Sequence, residues 1–227
     1  MAKVKEKNVE NINKQEAFLM KYQKAIIAAV VALIVIIAGV ILYKNYVSTP
    51  RQAKASTALA KGQEYFANQQ YEMALKGDSL GFAGFSKIAK DYSSTDAGNL
   101  ANLYAGLCQA NLGKWEEAVK FLDAYSPEDD SMVSPAAIAA LGNAYAHVKQ
   151  LDKAVSNLKK AAKMADAKAA DGANNSLSPT FLIQAAEILE SQNKKAEALA
   201  IYKDIKKKYV NSPVMQEIDK YIERVTE

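Results

Sequence analysis

Leu141-Gly142-Asn143-Ala144-Tyr145-Ala146-His147-Val148-Lys149-Gln150-Leu151-Asp152-Lys153-Ala154-Val155-Ser156-Asn157-Leu158 is the stretch that decides the fold. Gly142 and Ala154 stand twelve residues apart, with Lys149-Gln150-Leu151 as a tight turn between them. Leu158 follows Ala154 by four residues and Ala161 follows Leu158 by three, so all three share one helical face. This spacing predicts two helices that cross closely, because a small residue on each removes the side chain that would hold the backbones apart.

The same pattern lies on either side. Upstream, Gly106 and Ala118 flank the turn Leu112-Gly113-Lys114-Trp115, and Leu122 and Tyr125 follow. Downstream, Ala186 and Ala198 flank Gln192-Asn193-Lys194, and Tyr202 and Ile205 follow. Ser or Thr precedes Pro at Thr49-Pro50, Ser126-Pro127, Ser134-Pro135, Ser178-Pro179 and Ser212-Pro213, and all but the second open a stretch with helical apolar spacing. A hydroxyl at the N-cap accepts from an orphan N–H, and proline at the next position has a preset φ and no N–H to lose. Thr95-Asp96 predicts a further start of the same kind.

A small residue, a second one twelve later and a large apolar one four beyond resembles the tetratricopeptide repeat. That resemblance implies an all-α fold: an α-solenoid of about four helical hairpins. The repeats fall at about 50–93, 96–125, 135–170 and 179–210, and a polar-faced capping helix follows at 213–225. The first hairpin departs from the pattern. Gly62 and Tyr65 fit its first helix, but the expected second helix carries Phe85, Ile88 and Tyr92, which leaves an insertion near 73–80.

Ahead of the repeats, Ala25 to Tyr43 gives nineteen residues without a charge, twelve of them Ile, Val or Leu, between Lys24 and Lys44. As a helix this run reaches roughly 28 Å, the hydrocarbon thickness of a bilayer. It exceeds the ~7–15 residues of a signal-peptide core, so an uncleaved anchor is expected. Residues 1–24 form a basic tail, 25–43 a transmembrane anchor in the lipid bilayer, and 50–227 the repeat domain.

The chain carries 29 basic and 25 acidic residues. Residues 1–44 hold seven lysines against Glu6, Glu10 and Glu16, which accounts for the whole excess of +4. The repeat domain is therefore balanced and has no positive field for phosphates, which argues against nucleic acid. The six lysines of the tail weakly favour tail-in, domain-out, with Lys44, Arg51, Lys54 and Lys61 on the far side. His147 is the sole histidine and Cys108 the sole cysteine, so no histidine-based metal site, catalytic triad or disulfide is available. No phosphate-binding glycine loop occurs. Glu128-Asp129-Asp130 reads as a solvated acidic turn, and Lys206-Lys207-Lys208 as an exposed helix end favoured by the dipole. These features predict a protein that is not an enzyme, with no cofactor, no metal and no small-molecule substrate.

The repeat resemblance implies that first helices line a concave groove. By position its lining would be Gln63, Phe66, Leu107, Asn111, Asn143, His147, Glu187 and Glu190, amides and carboxylates beside apolar groups suited to an extended peptide. The order of tail, span and repeats, with a Phe-rich second helix in the first hairpin and Lys208-Tyr209-Val210-Asn211-Ser212-Pro213 at the end, is similar to the YfgM-type tetratricopeptide family. In that family the protein is an ancillary subunit of the bacterial SecYEG translocon. The resemblance implies an inner-membrane anchor, a cytoplasmic tail, periplasmic repeats and association with the translocon and the chaperone PpiD. A scaffold for another envelope assembly and a cytosol-facing adaptor are the alternatives.

Overall fold

A computed structural model describes the backbone of residues 2–226 and the side chains of residues 20–226. The tail lysines Lys3, Lys5, Lys7 and Lys14 lie outside the described side chains. Every regular element among the described residues is helical, and the chain divides into two units, Met1–Arg51 and Gln52–Glu227.

In the first unit, helix α1 (Ala2–Tyr43) leads into a π-helical turn at Lys44–Ser48. It contains a window of mean hydropathy 3.3, long and apolar enough to cross a membrane. Ile34, Val35, Ile36 and Ile37 are consecutive, so they point around the whole helix, and each is at least half exposed. A helix that served a soluble core would bury one face; this one buries none among its described side chains, residues 20–43.

Thr49-Pro50 was the expected start of the first repeat helix, and the structure differs. Thr49 is itself helical, with φ −62° and ψ −47°, and its N–H donates to Lys44 O. Proline inside a helix lacks the N–H and crowds the carbonyl four residues back. The wider π-helical turn just before Pro50 absorbs both defects, so the backbone stays helical into α2 (Thr49–Ala67).

The second unit continues with α3 (Tyr71–Lys76), α4 (Phe85–Asp91), α5 (Asp96–Asn111), α6 (Trp115–Asp123), α7 (Val133–His147) and α8 (Leu151–Ala167). Then come α9 (Ser178–Ser191), α10 (Lys195–Lys208), a 3-10 turn at Pro213–Gln216 and α11 (Ile218–Thr226). Successive helices pack on each other as hairpins stacked in chain order, α5 with α6, α7 with α8, α9 with α10. The small residues sit at close crossings. A Cβ built on Gly106 would lie 2.6 Å from Leu122 Cγ, and one on Gly142 2.9 Å from Leu158 Cγ and 3.1 Å from Ala154 O. Ala118, Ala154, Ala186 and Ala198 are fully buried. At the end, α11 buries Ile218 and Val225 and leaves Asp219, Lys220 and Glu223 in solvent, the polar-faced cap.

Four turns inside the hairpins are copies of one another. Gln69, Gly113, Lys149 and Asn193 each lie seven residues past Gly62, Gly106, Gly142 and Ala186, and each has φ between 58° and 74°. In each, the next N–H returns to the carbonyl five residues back: Gln70 to Tyr65, Lys114 to Gln109, Gln150 to Tyr145 and Lys194 to Leu189. This is the left-handed closure that satisfies the last carbonyls of a helix.

The first hairpin therefore shares the common register, which the sequence reading missed. Its second helix starts at Tyr71 as α3, with Ala74 buried twelve residues past Gly62, and the interruption is 77–84 rather than 73–80. Gly77 adopts φ +98° and Gly84 φ +81°, conformations that end α3 and admit α4. Phe85 then packs so close to Gly62 that a Cβ there would meet its ring at 2.4 Å.

The joints between hairpins are built differently. Thr95 caps α5 as expected, accepting from Gly98 N at 3.0 Å, and Ser212 accepts from Val214 N at 3.4 Å. Ser134 and Ser178 are not caps. Asp130 Oδ1 takes the N–H groups of Met132 and Val133 at 2.8 and 2.6 Å. Asn174 Oδ1 takes those of Ser176 and Leu177 at 3.1 and 2.9 Å. Both serines are instead fully buried, one turn later, and bond inward. An acidic or amide side chain four residues ahead has the longer reach needed for the first-turn donors, which frees the hydroxyl for the core.

Candidate protein-binding groove

The predicted groove residues come from α2, α5, α7 and α9, the first helices of the four hairpins. Gln63 Nε2 donates to Tyr104 OH at 3.0 Å. Phe66 meets Tyr71 and Tyr104 edge-on, with centroids 5.5 and 5.3 Å apart. These two residues thus knit α2 to α5 as well as bordering the surface. Leu107 is half-buried against the central core, and its carbonyl accepts from Asn111 Nδ2 at 2.8 Å.

Asn143, His147 and Glu187 are brought together. They line one groove of about 580 Å³ between α7 and α9, with Gln184 and Ile188 on its wall. Trp115 closes one side, its ring stacked on His147 with centroids 3.5 Å apart and planes 2° from parallel. Trp115 opens α6 directly after the Gly113 turn, so a repeated local structure places the sole indole of the chain in the groove. In the sequence Trp115 reads only as part of a turn. Its position next to that turn, one hairpin before His147, was the available signal.

Glu190 stands apart from this group. Its carboxylate receives Arg224 Nη2 at 2.6 Å, Arg224 Nε at 3.0 Å and Tyr202 OH at 2.5 Å. Burial pushes its pKa up, but the Arg224 and Tyr202 donors outweigh burial and hold it below the usual carboxylate range. Glu190 therefore fastens the capping helix to α9. Arg224 Nη2 also approaches Glu187 Oε1 at 3.8 Å, but Glu187 stays exposed.

The other residues singled out in the sequence resolve into structural roles. Cys108 is buried, and burial pushes its thiol up to about 12, so it is an inert packing group. Within the acidic turn, Asp130 caps α7, Asp129 pairs with Lys168 and Glu128 accepts from Asn99 Nδ2. No cluster of three metal-ligating side chains occurs among the described residues. The lysine run is the exposed last turn of α10, and two of its members also pair. Lys206 reaches Asp219 and Lys208 reaches the buried Asp166, each at 2.5 Å.

Asp166 was not anticipated. Its carboxylate collects Ser178 Oγ at 2.6 Å, Asn174 N at 2.9 Å, Lys208 Nζ at 2.5 Å and Tyr209 OH at 2.7 Å. Near the opposite end, Asp78 plays a related part in the interrupted hairpin. It receives Tyr65 OH at 2.5 Å and Lys61 Nζ at 2.9 Å, and the Leu80 and Phe82 N–H groups at 2.8 Å. The Tyr65 hydroxyl first, then the Phe82 amide, holds its carboxyl far below the ordinary range.

No family model matches the chain, and no curated protein matches it by sequence. Among solved structures it is similar to a glutamine-to-methionine variant of kinesin light chain-type, nearly identical TPR-like repeats from Podosopora anserina. The TM-score is 0.55 at 14% identity, over 77% of this chain and 85% of that one. The companion structure of those repeats gives 0.55 at 13% identity, over 77% and 86%. The fold of this chain is thus a TPR-like helical repeat array.

Proposed function

We propose that the chain is a single-pass adaptor of the bacterial inner membrane. Residues 25–43 cross the bilayer, the tail of residues 1–24 lies in the cytoplasm, and the repeats lie in the periplasm and bind protein partners without catalysing a reaction. One observation carries the reading: a helix with aliphatic side chains exposed on every side is joined to a capped repeat array with an open, mixed polar and aromatic groove. By sequence resemblance the partners are the SecYEG translocon and the periplasmic chaperone PpiD, so the adaptor acts during protein export. Span and repeats both contribute, since two weak contacts on one tether gain from effective concentration.

The test is chemical crosslinking in native membranes followed by purification of the full chain. Translocon subunits and the chaperone are expected, and replacing residues 25–43 with an unrelated span should weaken recovery without abolishing it. Reproducible recovery of a different envelope complex instead would overturn the partner assignment. Protease added to cells opened at the periplasm should digest the repeats; protection until the inner membrane is lysed would reverse the orientation.

A further inference from the structure

The groove between α7 and α9 has a one-sided chemistry. Glu187 is the only carboxylate among its described lining residues and no lysine or arginine lines it; Arg224, which belongs to Glu190, comes no nearer to Glu187 than 3.8 Å and leaves its carboxylate exposed. Gln184, on the same wall, has a buried Oε1 without a donor. An unsatisfied buried acceptor costs free energy, which a turn of the Gln184 amide toward an N–H in the groove would recover. Trp115 and His147 line the same groove, their rings stacked face to face so that only an outer face of the stack is open to a further planar group. A groove of about 640 Å³ at the first hairpin differs on each count. Lys54, Lys61 and Lys87 line it, and two of these lysines are already neutralised by Asp78 and Asp91.

Acceptors on one side and a π-face on the other match one natural side chain. A guanidinium is planar, stacks on aromatic rings, pairs with a carboxylate through two N–H groups and has further N–H groups left for an amide oxygen. Arginine's alkyl stem would also cover Ile188. The chain itself illustrates this chemistry one turn away, where Arg224 grips Glu190 through Nε and Nη2.

We propose that this groove takes an extended segment of a partner protein through an arginine, its guanidinium bound by Glu187 and Gln184 and laid on an outer face of the Trp115–His147 stack. The proposal rests on the adaptor reading and supplies the chemistry of its partner. Trp115 is the only tryptophan, so its fluorescence reports on this groove alone.

The experiment selects binders from a random, tryptophan-free peptide library on the full chain held in detergent micelles. The recovered peptides are then titrated while Trp115 emission is followed. Arginine-bearing peptides should be enriched and should shift the emission saturably. Changing that arginine to alanine, or Glu187→Gln in the protein, should each weaken binding about tenfold, the loss of one charge-assisted hydrogen bond. Lysine should substitute poorly, and Glu64→Gln, on exposed surface of α2, should change nothing. Enriched peptides without arginine that still shift Trp115, or arginine peptides indifferent to Glu187→Gln, would overturn the arginine assignment and leave the adaptor reading standing. A library with no binder and an unmoved Trp115 signal would overturn both.

Discussion

The turns inside the hairpins and the joints between them solve the same problem by different means. Each turn reverses the chain with one left-handed residue and a backbone bond back to the preceding helix, at Gln69, Gly113, Lys149 and Asn193 alike. Each joint is closed by side chains: Thr95 in the first, Asp130 with Ser134 and Tyr125 in the second, Asp166 with Ser178 and Tyr209 in the third. Backbone closure depends on a local conformation that many residues adopt, so the turn sequences vary. Side-chain closure depends on particular groups being buried together, so each joint is chemically individual and more exposed to single substitutions.

The sharpest way to break the comparison is Asp166→Ala. It leaves Tyr209 buried without its acceptor, Ser178 with the Ala162 carbonyl alone and Lys208 without its counterion, and should cost about 3 kcal/mol. Asp129→Ala, which removes an exposed pair with Lys168, should cost less than about 0.5 kcal/mol. Urea unfolding followed by helical circular dichroism measures both; equal effects would remove the distinction between buried joint and surface pair. Acid offers a second probe of the same group. Burial pushes the Asp166 carboxyl up, and the Lys208, Ser178 and Tyr209 donors outweigh it, so its folded pKa lies below the unfolded value of about 3.9. Its contribution is complete above that value and is lost as pH falls through the folded pKa. Stability should therefore decline below about pH 4, and Asp166→Asn should flatten that part of the profile.

Gly142→Leu tests the crossings that the turns connect. The new side chain would meet Leu158 and the backbone at Ala154, costing about 2–3 kcal/mol. Gly172→Leu, in the loop after α8, has open space around it but φ +71°, so only backbone strain of about 1 kcal/mol opposes it. A larger loss at Gly172 than at Gly142 would refute the assigned crossing.

The smallest expected effect concerns the turns themselves. Lys149 holds φ 62° in a left-handed conformation where its counterpart Gly113 is unstrained. Lys149→Gly should therefore raise stability, by no more than about 1 kcal/mol, as relief of strain is offset by the greater freedom of the unfolded chain. Destabilisation by that change would mean that the turns are not interchangeable.

The amino-acid sequence by itself determined the features that are encoded as spacing. Nineteen uncharged residues, twelve of them Ile, Val or Leu, make a helix of membrane length. A small residue, another twelve later and a large one four beyond specify a close helix crossing through volume alone. Tertiary structure decided what depends on groups far apart in the chain. Lys208 reaches Asp166 across 42 residues, and Arg224 reaches Glu190 across 34. Such contacts made Glu190, an expected groove residue, the fastening of the cap, and gave Lys208, on an exposed helix end, the added part of counterion to a buried carboxylate. They also stacked Trp115 on His147, one hairpin later, and left Glu187 facing them across a shared groove. A polar side chain carries no periodic signal of its partner, because its energy is set by which donors and acceptors burial brings within 3 Å.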